Sequence, residues 1–210
     1  PFSGTMFSLL DTNLMPQSSM LTYVTNTVPA GNASTRALFS TWQPTNAEGV
    51  WLRLTSASVP NQPNPIISSV QSLRFDMYAE KDLLVGIQVR ESNPTGPFGA
   101  NGGSTGGLEF VGVDARAPAH PTRRVTAGAW TTLEFNIPDE QAAGTIMAGV
   151  LNGNGIVTST TAKVVLESLL LNPEGSDLTT PFKIYLDNFI VVPTNAMTFV
   201  LDSRSEERRV

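Results

Sequence analysis

Cysteine is missing from all 210 residues of this chain. That excludes disulfides, thiolate metal sites and cysteine nucleophiles, and it fits an oxidising or a reducing compartment equally. Charge is scarce too: only 15% of residues are Asp, Glu, Lys or Arg, and the net charge is −5. With that sign there is no general attraction for a nucleic-acid backbone, so no nucleic-acid partner is expected. The carboxylates are scattered, which argues against a purely acidic functional surface. No apolar run approaches the roughly 20 residues that cross a bilayer as a helix, so no membrane span is expected. The chain opens at Pro1 without a Met or a signal-like segment. It therefore reads as a mature or excised piece, with a secreted or cell-surface origin preferred.

What is present is a β-rich vocabulary. Apolar residues make up 40% of the chain, enough for a packed core, while 17 Gly and 15 Pro supply turn chemistry. Ser, Thr and Asn take the place of charge, a mixture suited to strands and tight loops. Strand signals recur as "SMLTYVT" (19–25), "TRALFSTW" (35–42) and "GVWLRLT" (49–55). The prolines of "SVPNQPNP" (58–65) rule out a central strand there. "LRFDMYA" (73–79) and "LLVGIQVRE" (83–91) alternate with period two. As neighbouring strands they place Leu73, Phe75 and Met77 on one face with Val85, Ile87 and Val89. A Gly-rich stretch (92–107) is too long for a hairpin turn. "TTLEFNIP" (131–138), "KVVLESLLL" (163–171) and "FKIYLDNFIVV" (182–192) complete the strands, and "DEQAAGTIMAGVL" (139–151) is the one candidate for a short helix. Many strands, little helix and no βαβ alternation predict an all-β fold, a single antiparallel β-sandwich (jelly roll) over residues 1–193. Residues 194–210 read as a tail, in which 196–202 offers an extra strand and "RSEERRV" a solvated charge run.

The order of "FSLLD", "NASTRAL", "LRFDMYA…LLVGIQV", "AGAWTTLEFNIP" and "IYLDNFIVV" resembles that of non-catalytic carbohydrate-binding modules with a galactose-binding-like jelly roll. The resemblance spans roughly residues 7–192, and "WTTLEFNIP" followed by "YLDN" is its most telling pair. Two departures stand out: "STR" within 32–36, where a Ser-Gly step is common, and the glycine loop, which looks like an insertion. The resemblance implies binding of a polysaccharide or glycan by a module of a secreted enzyme. It also implies a structural calcium ion (Ca2+) held by an Asp of the closing strand and groups from the N-terminal part. Asp187 matches the strand position, with Asp11 as a second carboxylate and Asn32 as a further oxygen donor, since calcium takes six to eight oxygens. The plainer alternative has Asp187 accept hydrogen bonds from a neighbouring loop, or pair with Lys183 or Arg36.

Sugar recognition needs flat apolar rings against the pyranose and polar side chains for its hydroxyls. If Phe75 and its partners face the core, then Arg74, Asp76 and Tyr78 face outward. Gln88 and Arg90 of the next strand are expected to join them, as a glycan platform or as an ordinary solvated face. Trp42 and Trp51 bracket a loop and offer a second flank, with core packing the competing role. Trp130 and Tyr185 read as packing. Catalytic signals are poor. His120 sits in a Pro-rich loop without a partner, Glu134 and Glu167 meet only if register allows, and Tyr78 with Arg90 is a thin lyase pair. No enzyme is expected. The competing class is a structural subunit of a filament, surface layer or phage appendage, self-assembling by strand addition through 196–202.

Overall fold

In a computed structural model, residues 6–7, 14–15, 21–43, 50–53, 66–91, 107–114, 120–149, 153–175, 177–192 and 199–201 are described. In chain order they form β1 (Met6–Phe7), β2 (Leu14–Met15), β3 (Leu21–Thr25), β4 (Ala37–Trp42), β5 (Val50–Arg53) and β6 (Ile66–Ser68). Next come β7 (Ser72–Ala79), β8 (Leu83–Arg90), β9 (Leu108–Val111), β10 (Val113–Asp114), β11 (His120–Pro121) and β12 (Arg123–Val125). The rest are β13 (Trp130–Asn136), α1 (Ile137–Ala143), β14 (Ile146–Ala148), β15 (Lys163–Pro173), β16 (Phe182–Val192) and β17 (Phe199–Leu201).

Two antiparallel sheets carry the fold. The first runs β14-β9-β8-β15-β5, with β12 also on β8 and β6 also on β15; the second runs β13-β7-β16-β4-β3, with β17 also on β16. Their inward faces share one core. From the second sheet come Leu73, Phe75, Met77, Leu133, Phe135, Ile184 and Leu186, and from the first Val85, Ile87, Val89, Leu166, Leu169 and Leu171. Phe75 is stacked between Phe189 and Phe135, at ring separations of 4.7 and 6.1 Å. Burying each such side chain contributes about 1.5–3 kcal/mol, so this seam dominates the stability. The all-β sandwich expected from the pattern is the fold observed.

Three expectations need correction. First, β7 and β8 are not neighbours in one sheet: β7 pairs with β13 and β16, whereas β8 pairs with β9, β12 and β15. Glu80, Lys81 and Asp82 carry the chain from one sheet to the other. Period two tells which side of a strand is buried and says nothing of its partner, so the inward faces were legible and the shared outward face was not. Second, the helix starts at Ile137, capped by Asn136, whose side chain accepts from Asp139 N, and stops at left-handed Gly144. The following Ile146–Ala148 is a strand on β9. Third, the tail strand lies at Phe199–Leu201 and pairs with Phe189–Val191 of its own chain.

Candidate ligand-binding face

The outward face of the second sheet holds an aromatic row. Tyr23 lies across from Phe39, Phe39 across from Tyr185, Tyr185 across from Tyr78 and Tyr78 across from Trp130. Each of β3, β4, β16, β7 and β13 thus gives one ring, and the row crosses the sheet at right angles to the strands. Ring centroids lie 5.1, 5.0, 5.8 and 5.8 Å apart, and the planes are inclined at 50°, 57°, 77° and 55°. Such tilted contacts are favourable between rings, each adding about 0.5–1.5 kcal/mol beyond area burial. The rings therefore hold one another in place before any ligand arrives. Tyr23 is half exposed, Phe39 is buried, and Tyr78, Tyr185 and Trp130 are half-buried. Partial burial, reinforced by the charge of Glu80, raises the Tyr185 phenol above its ordinary value.

Polar groups border the row. On one side Lys183 pairs with Glu80 at 3.1 Å. On the other lie Asp187 and Asp76, directly across from each other on β16 and β7, and Thr132 across from Asp76 on β13. Two carboxylates facing across a ladder repel each other. Here every oxygen has a donor: Asp187 Oδ1 accepts from Asn188 N (2.8 Å) and Oδ2 from Asn32 Nδ2 (3.1 Å). Asp76 Oδ1 accepts from Thr132 Oγ1 (2.6 Å) and Oδ2 from Asn188 Nδ2 (2.7 Å). Asn188 reaches both because it sits in a bulge of β16 with φ +53°, a left-handed conformation that Asn tolerates better than most residues. Farther along the face, Arg74 pairs with Glu134 at 3.3 Å, an exposed contact worth at most about 1 kcal/mol.

Asn32 belongs to the β3–β4 loop, which crosses the face of the sheet. Pro29 O accepts from Trp130 Nε1 at 3.1 Å. Gly31, with φ +101°, lies so close that a Cβ there would be 3.3 Å from Trp130 Cδ1. The loop walls one side of the row.

Not all the residues singled out from sequence meet here. Arg74, Asp76 and Tyr78 share the outward face with Asp187 and Asn32. Gln88 and Arg90 belong to the other sheet and are buried: Gln88 Oε1 accepts from Ser168 Oγ at 2.7 Å, and Arg90 Nε lies 3.4 Å from Glu167 Oε2. They cannot border Tyr78. Trp42 is 1% exposed and stacks on Phe182 in the core. Trp51 lies on β5 of the opposite sheet, across from Leu170, so the two tryptophans flank no common site. Asp11 is outside the described residues. Glu134 and Glu167 are on opposite sheets, so they cannot straddle one glycosidic bond. His120 is exposed, its Nδ1 2.9 Å from Asn172 Nδ2. Sequence alone does not single out Tyr23 and Phe39 and reads Trp130 and Tyr185 as packing, because the row exists only once strand order is known. The available signal was at least one aromatic residue on each of five strands.

The calcium set can be tested against these contacts. Ser34 N donates to Asn32 Oδ1 at 2.9 Å, which turns the amide nitrogen of Asn32 toward Asp187. The groups that hydrogen-bond to Asp187 are thus N–H donors, where calcium demands oxygens. Among the described residues no three His, Cys, Asp or Glu side chains group as a metal site. As arranged, Asp187 and Asn32 do not fit the ion, and Asp11 is not among the described residues.

The fold is an antiparallel β-sandwich with an aromatic row on one face, and among solved structures the chain is similar to two carbohydrate-binding modules. One is a family 29 carbohydrate-binding module from Piromyces equi, 12% identical, covering 90% of each chain with a TM-score of 0.31. Another is the CBM22-1 xylan-binding domain of Paenibacillus barcinonensis Xyn10C, 16% identical, covering 88% of each chain with a TM-score of 0.29. No family model and no curated protein matches the chain.

Proposed function

We propose that this chain is a non-catalytic module that binds a polysaccharide or glycan along the aromatic row, and that it works outside the cell, where such polymers are met. The row itself carries the reading: five rings in register across a sheet face, three of them half-buried and mutually braced. A pyranose offers an apolar face of C–H groups, which a ring can cover, and a rim of hydroxyls, which carboxylates, amides and the Lys183 ammonium can bind. Because the rings are already fixed, little ordering entropy opposes binding.

The test is retention on native gels cast with soluble neutral polysaccharides such as xylan, mannan and mixed-linkage β-glucan. The wild type should be retarded by at least one of them, and Tyr78→Ala and Tyr185→Ala should run free. Equal retardation of both variants would move the site off this face.

A further inference from the structure

At the closing-strand position where the resemblance implies a calcium ligand, we propose that Asp187 is instead the anchor of the loop that walls the aromatic row. This inference rests on the reading of the row as the binding face, but its first readout does not. Asp187 is 6% exposed, and no Lys or Arg is among the partners of its carboxylate oxygens described above. A carboxylate so buried needs hydrogen-bond partners. It finds them in the backbone of the bulge and in Asn32, a residue 155 positions away. Asn188 then ties the same bulge to Asp76, and Thr132 ties Asp76 to β13. The chain of contacts runs from the loop through β16 and β7 to the strand that carries Trp130. Its far end returns to the loop, since Trp130 donates to Pro29 O. The circuit is closed by amides and a hydroxyl. Asp187 and Asn32 are positioning residues: they hold the wall and Trp130, and amide donors here do what an ion would otherwise do.

Two measurements test this. The first follows the indole N–H signals by NMR, with Trp130 assigned through Trp130→Phe. In Asn32→Ala, Trp130 N–H should exchange with solvent at least about fivefold faster, the equivalent of one lost hydrogen bond, while Trp42 N–H is unchanged. Unaltered Trp130 exchange would overturn the anchor. On whichever polysaccharide retains the wild type, the same variant should bind about fivefold more weakly; full affinity despite a released loop would overturn its part in the site. The second measurement is the melting temperature in calcium and in chelator. The wild type should melt identically in both. Asn32→Asp, which exchanges the donor for a further carboxylate, should melt lower in chelator and recover with calcium. A wild type that gains stability from calcium, or an Asn32→Asp variant indifferent to it, would overturn the claim that donor chemistry replaces the ion. If the indole and melting results hold while no polysaccharide is retained, the anchor stands and the glycan reading falls.

Discussion

Tyr78 and Tyr185 meet edge to face at the middle of the row, so each braces the other, and on the proposed reading each presents surface to a glycan. Replacing either by Ala should weaken glycan binding by about 1 kcal/mol or more, the scale of one ring contact, as read by titration calorimetry. The same change in Arg90 should act differently. Its guanidinium lies beside the buried carboxylate of Glu167, and removing one partner of a buried pair costs about 3 kcal/mol or more. Urea unfolding of Arg90→Ala should show that loss; a variant as stable as the wild type would contradict the pairing. The two cases show what single residues disclose in sequence. Alternation places Arg74, Asp76 and Tyr78 outward of Phe75 and Met77, and they are outward. The same rule assigned Gln88 and Arg90 to a solvated face, yet both faces of β8 are buried, and a pattern of alternating polarity reads a buried polar layer as surface.

Among elements, the extent of β16 was legible, since its apolar run at 182–192 coincides with the strand, whereas the bulge after Asp187 shows only in the strand register. Shorter strands such as β10, β11 and β12 lie below what periodicity can resolve, being two or three residues each. The turn leading into β16 makes a pH-dependent contribution. Asp177 Oδ1 accepts from Thr179 Oγ1 at 2.7 Å, and Lys81 Nζ lies 3.2 Å from Oδ2. These contacts, the Thr179 hydroxyl first, hold the Asp177 carboxyl at about 2, below its ordinary 3.8. A depressed carboxyl stabilises the fold above its unfolded value and loses that effect as pH falls toward the folded one. The melting temperature should therefore drop between about pH 4 and pH 2, and Asp177→Asn should flatten that part of the profile. Identical acid profiles would remove the turn from the account.

At the scale of the whole molecule, β17 occupies the edge of β16 beyond the last residue paired with β4. Deleting residues 194–210 should expose that edge, lower stability by about 1–3 kcal/mol through lost ladder bonds, and promote self-association. Sedimentation should find the full chain monomeric and the truncated one associating; a full chain that polymerises would favour the structural-subunit class. The row also constrains how the molecule is made. Tyr23 and Phe39 lie far back in sequence from Tyr185, whose strand seats them in the sheet. Loops of that length close slowly, and sheets built from such distant pairings are the slow folders among small domains. The hairpin of β3 and β4 joins the rest of its sheet through β16, so the aromatic row should be completed only as that long-range pairing forms. In a refolding time course, ligand capture should then appear together with native structure and never ahead of it.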